Sequence, residues 1–136
     1  MLNRIFDNTK LSEKALDAAW LRNSTITQNI SNIDTPGYKR KTVKFEEVLN
    51  KYTESGFKGL KTHEKHINIG RDSNIDNIKI RVETDNQNLS SRLDGNNVDI
   101  DTEMASMAKN TIKYYTLVQT ISASLKRMKT VINGRE

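Results

Sequence analysis

The chain has 136 residues, enough for one modest domain and too few for two comfortable ones. Hydrophobic residues at 35% and aromatics at 6% are thin for a compact enzyme core, and the absence of cysteine removes disulfides and thiolate metal sites. The net charge of +5 permits an acidic partner, but the basic residues are dispersed and no aromatics interleave with them as a base-stacking groove requires, so nucleic-acid binding is not expected.

The opening Met1-Leu2-Asn3-Arg4-Ile5-Phe6-Asp7 lacks the uninterrupted apolar core of a secretory signal, and no apolar run approaches the ~20 residues of a membrane span. From about Thr9 to Ile33 there is no Pro or Gly. Apolar side chains fall at Leu11, Ala15, Leu16, Ala19, Ile26, Ile30 and Ile33, a spacing that predicts an amphipathic helix with Asn8 or Thr9 as its cap. Asp34-Thr35-Pro36-Gly37 stops it, because proline disfavours helical geometry at Thr35 and glycine permits a turn.

Between Tyr38 and Val98 the pattern changes to short apolar clusters separated by Asn, Gly, Ser and charge. The clearest strand is Ile78-Lys79-Ile80-Arg81-Val82, which alternates apolar and charged residues, with Val43-Lys44-Phe45 a weaker one. This stretch reads as a small β-rich or partly disordered insert. The densest basic group, Lys39, Arg40, Lys41 and Lys44, reads as a solvated face.

The last third is more regular. Ile100, Met104, Met107, Thr111, Tyr114, Val118, Ile121, Leu125, Met128 and Ile132 recur in steps of four and three, a heptad seam. Asp99, Asp101 and Glu103 stand at its start and Lys126, Arg127 and Lys129 near its end, as the helix dipole favours, and Asn133-Gly134 supplies a stop.

The expected architecture is therefore mainly α. Two long terminal helices pair as a coiled coil around a small irregular or β-rich central insert, with residues 1–35 and 99–136 forming the helical assembly domain and 36–98 the insert. Further apolar residues flank the second seam at Ala105, Ala108, Ile112, Tyr115, Leu117 and Val131, so one partner helix does not cover it. Either neighbouring molecules supply the remaining contacts, or a closed four-helix dimer does.

Two runs narrow the choice. Asn29-Ile30-Ser31-Asn32-Ile33-Asp34-Thr35-Pro36-Gly37-Tyr38 resembles the N-terminal signature of the flagellar rod and hook axial family, in which a helix runs into Asn-x-x-Asn-x-x-Thr-Pro-Gly-Tyr. Asn29, Asn32, Thr35, Pro36, Gly37 and Tyr38 all match. The asparagine amides are suited to satisfying free carbonyls at the helix end. Asp94-Gly95-Asn96-Asn97-Val98-Asp99-Ile100-Asp101-Thr102-Glu103-Met104 is similar to the C-terminal motif of the proximal-rod branch of that family. The resemblance implies a structural subunit of the proximal rod that is exported unfolded, without a cleaved signal peptide, by the flagellar type III apparatus. It would then assemble in the periplasm through its terminal helices and transmit torque. Implied partners are other copies of the chain, the rod protein FlgC, the adapter FliE and the membrane ring. From a different class, a soluble coiled-coil dimer binding nucleic acid or an acidic protein through its basic surface remains the alternative.

No catalytic constellation, cofactor site or small-molecule substrate site is expected. His63-Glu64-Lys65-His66 lacks the spacing of a zinc-protease helix and reads as surface loop, and Asp72 and Asp76 mark no third ligand. Asp99, Asp101 and Glu103 lack the loop and glycine of an EF-hand, and helix capping explains them. The methionines and tyrosines of the last helix read as packing residues, and Trp20 as an intersubunit contact.

Overall fold

The computed structural model describes residues 2–53, 63, 65, 78–85 and 93–134, with side chains from residue 9 in the first helix and up to residue 50 in the second. The element order is α1 (Leu2–Ser31), β1 (Lys41–Lys44), α2 (Glu46–Thr53), β2 (Arg81–Thr84) and α3 (Ile100–Ile132). The fold is mainly helical: α1 and α3 pack together and β1 and β2 form a small antiparallel sheet between them in sequence.

Helix α1 begins at Leu2, earlier than the expected start near Thr9. Asn8 and Thr9 are good caps, but a cap residue ends a helix only where the preceding chain turns away, and no Pro or Gly forces that turn here. Helix α3 has 33 residues and is about 50 Å long at ~1.5 Å per residue. Asp99 caps it, accepting from the Asp101 backbone N–H, and Gly134 follows its end with φ 58°. The helices run antiparallel, since Asn29 meets Glu103 and the earlier Ala19 meets the later Asn110.

Strand β2 lies slightly later than the expected Ile78–Val82. Ile78 and Ile80 precede the ladder, which pairs Lys41 with Thr84 through Lys44 with Arg81. Their apolar side chains serve the core instead: Ile78 is buried with Ala18 and Phe45, and Ala15, Val48, Leu49 and Ile80 pack around them. Helix α2 was not anticipated. Glu46 and Glu47 give its first turn the favourable charge, the Leu49 N–H reaches the Phe45 carbonyl at 2.8 Å, and Phe45, Val48 and Leu49 share one face. Eight residues of helix gain little alone, so this core is what holds them.

The line of α3 that α1 covers is rotated from the heptad seam. Glu103 and Asn110 are buried, and Met107, Tyr114, Leu117, Val118, Ile121 and Met128 are half-buried. Ile100, Met104, Thr111, Leu125 and Ile132 are exposed. The cause is polar: the partners of Glu103 and Asn110 all lie on the α1 side, and a buried carboxylate or amide without a partner would cost more than an exposed methionine.

Candidate assembly site

The two family-like runs, far apart in sequence, close on each other in one polar knot. Asn29 lies in the last turn of α1 and is fully buried. Its Nδ2 donates to the Lys41 carbonyl at 2.8 Å and to Glu103 Oε2 at 3.1 Å, and its Oδ1 accepts from the Lys41 N–H at 3.0 Å and the Tyr38 hydroxyl at 3.2 Å. Both donors and both lone pairs of the amide are thereby used. Toward Lys41 it behaves as a strand neighbour would, exchanging a donor and an acceptor with one backbone residue.

Glu103 is also fully buried, and it accepts from Arg40 Nε at 2.5 Å as well as from Asn29. Arg40 is partly open to solvent, so the pair joins a buried anion to a cation that keeps some hydration. Burial, and then the Glu103 charge, push the Tyr38 phenol above its ordinary pKa.

Asn96 completes the closure. Its Nδ2 is shared among the carbonyls of Asn32 at 3.0 Å, Ile33 at 2.8 Å and Thr35 at 3.0 Å, in the turn that follows α1. Its Oδ1 accepts from the Val98 N–H at 2.8 Å. Asn97 accepts from the Arg40 N–H at 2.7 Å and donates to the Asp85 carbonyl at 3.2 Å, tying in the end of β2. Lys39 Nζ reaches the Gly95 carbonyl at 2.8 Å, and the Gly37 N–H reaches the Asp94 carbonyl at 2.9 Å. Gly37 and Gly95 both have positive φ, 71° and 81°, so the turns of the two runs stack in a conformation other residues resist.

Of the first run, Asn29, Asn32, Gly37 and Tyr38 form bonds in or beside this knot, Thr35 Oγ1 donates to Asn32 Oδ1 at 3.3 Å, and Pro36 is exposed at the bend. Asn32 satisfies a helix carbonyl, that of Gln28 at 2.8 Å, whereas Asn29 turns to Lys41 and Glu103. Of the second run, Asn97, Asp99 and Glu103 make polar bonds and Val98 is buried beneath them, while Ile100 points outward. On α1, Ala19 and Ile26 are buried, and Leu11, Ala15, Leu16, Ile30 and Ile33 are half-buried. Sequence reasoning read Arg40 as part of a solvated face, whereas it pairs with the buried Glu103, and it gave no role to Asn96 or Asn110. Asn96 stood inside a run already singled out, and a second asparagine beside Asn97 was the available signal.

Among the described residues no three His, Asp or Glu side chains gather as a metal ion requires. His63 is exposed and its Nδ1 accepts from the Lys65 N–H at 3.2 Å, while Glu64, His66, Asp72 and Asp76 lie outside the described residues. Trp20 is 65% exposed on the outer side of α1. No helix among the described residues is long and apolar enough to cross a membrane.

This geometry defines a class: a helical hairpin in which the end of the first helix and the start of the last are joined by buried amides and one ion pair, with an apolar helix flank left open. Residues 11–39 match the family described as flagella basal body rod protein. The chain is 37% identical to the flagellar basal body rod protein FlgB of Bacillus subtilis across 90% of each chain. It is 31% identical to that of Buchnera aphidicola, across 98% of this chain and 100% of the relative, and 29% identical to that of Borreliella burgdorferi, across 96% and 99%. The chain belongs to the FlgB family of flagellar basal body rod proteins, a structural family of the bacterial flagellum serving motility.

Proposed function

We propose that this chain is a subunit of the proximal flagellar rod that polymerises through its terminal helices and carries torque along the rod. Residues 1–35 and 99–136 form the assembly unit in this reading, and 36–98 form the insert, whose Phe45 and Ile78 pack on Ala18 of α1. The observation that carries the proposal is the exposed apolar flank of α3: Ile100, Met104, Tyr115 and Leu125 are each about half exposed or more, although α1 already packs on the same helix. Such a flank calls for a protein neighbour. Torque passes between subunits only if each resists shear, and the knot supports this by fixing the end of α1 to the start of α3. Its place is the periplasmic rod, reached through the flagellar export apparatus. Its neighbours there are other copies of itself, FlgC, FliE and the membrane ring.

The test is Leu125→Asp in a flagellated cell whose own copy is deleted. Leu125 is 51% exposed, so a charge there leaves the hairpin folded. The variant is expected to be exported but missing from isolated basal bodies, with motility lost. Full motility would contradict assembly through these helices.

A further inference from the structure

The small sheet has one covered edge and one open edge. On β1 the N–H and carbonyl of Lys41 face away from β2 and bond the Asn29 amide, which closes that side. Just beyond β2 the Asp85 N–H bonds the carbonyl of Arg40 at 2.7 Å. In the same register Glu83 and Arg81 also bond toward β1, so Val82 and Thr84 point their N–H and carbonyl groups outward. Among the described residues no strand pairs with that outer side. All of β2 is exposed, Val82 by 45%.

An open edge is a template for another strand, and charged side chains usually guard it. Here the charges have an order that admits one partner. From Lys79 to Asp85 the chain reads Lys-Ile-Arg-Val-Glu-Thr-Asp, cations before Val82 and anions after it at matching distances. These charged residues alternate along the chain and so share one face of the strand. When a second β2 is laid antiparallel about Val82, Arg81 of each copy stands opposite Glu83 of the other, and Lys79 opposite Asp85. The two Val82 residues then exchange N–H and carbonyl bonds and cover each other's exposed side chains. Sliding by two residues sets Glu83 against Glu83 or Arg81 against Arg81, and sliding by one breaks the match of bonding groups, so a single register satisfies both charge and backbone.

We infer that two copies of this chain join edge to edge through β2, forming one four-stranded antiparallel sheet in the order β1-β2-β2-β1. The contact is twofold and closes on itself, whereas a growing rod needs contacts that repeat in one direction. The pairing therefore belongs to the chain outside the rod and does not rest on the rod reading. A short edge contact of this kind makes a weak, reversible dimer.

Sedimentation equilibrium on the purified full chain tests it, with Arg81→Glu and Glu83→Arg as the variants. Both positions are exposed, so the fold is retained, which far-UV circular dichroism checks. The parent is expected to dimerise in a concentration series reaching about 1 mM. Each variant alone sets like charges against each other and should dimerise roughly tenfold more weakly or less. An equimolar mixture of the two variants again places every Glu opposite an Arg, and should associate as the parent does. A parent that stays monomeric, single variants that dimerise as tightly as the parent, or a mixture that associates no better than its components would each overturn the pairing. None of these results bears on the rod assignment, which the basal-body test decides separately.

Discussion

Glu103→Gln tests whether the knot holds the end of α1 to the start of α3. The carboxylate is fully buried and accepts from Arg40 Nε at 2.5 Å and from Asn29 Nδ2 at 3.1 Å. Glutamine keeps the size but offers one acceptor and one donor to two facing donors, so one contact is lost and a donor is set against a donor. A hydrogen bond to a charged group contributes about 1.5–3 kcal/mol. Arg40 is partly exposed and turns to water when released, and Asn29 Nδ2 keeps its bond to the Lys41 carbonyl, which together put the loss at the lower end, about 2 kcal/mol. For a chain of this size that lowers the melting temperature by roughly 6–10 °C. Urea titration followed by far-UV circular dichroism reads the change, with the slope of the transition unaltered. A Glu103→Gln protein within ~0.5 kcal/mol of the parent would mean that the buried ion pair is not what closes the hairpin.

Asn96→Ala removes the donor shared by three carbonyls of the turn after α1 and is expected to cost about 2 kcal/mol in the same titration. Asn96→Asp should cost more, since it aims a carboxylate at those carbonyls and at the negative end of the helix dipole; an aspartate milder than alanine would contradict the capping role. Asn110 donates to the Ala19 carbonyl at 2.8 Å but its buried Oδ1 has no partner, so Asn110→Leu should stabilise the hairpin by about 1 kcal/mol, and a loss of stability would show that the amide is worth more than its unpaired oxygen costs. Burial raises the Glu46 carboxyl, but the hydrogen bond from Arg22, with help from its own backbone N–H and Lys113, more than offsets this and leaves its pKa lowered. A lowered acid contributes stability above the ordinary carboxylate range that disappears as pH falls through the folded value, so Glu46→Gln should flatten the acid limb of the stability profile, more visibly at low salt. An unchanged acid limb would remove Glu46 as the anchor between α1 and α3.

What the sequence determined by itself was whatever rests on near neighbours. Helix α3 ends at Ile132 as Asn133-Gly134 implies, and it starts at Ile100 behind the Asp99 cap, because caps, dipole charges and breakers act within one turn. The bend after α1 was legible for the same reason, since Pro36 and Gly37 need no distant partner. The family-like runs were legible as strings but not as a joint. Nothing near Asn96 in sequence requires an amide there; its partners, Asn32, Ile33 and Thr35, arrive only when the ends meet. Glu103 looked like a dipole charge and is a buried acceptor, and only the tertiary structure decided that, by placing Asn29 and Arg40 around it. The same closure rotated α3, burying Glu103 and Asn110 and turning Ile100 and Met104 outward. Apolar periodicity records which residues want cover, whereas the direction from which cover comes is set by polar partners many tens of residues away, whose satisfaction outweighs the exposure of a few apolar side chains.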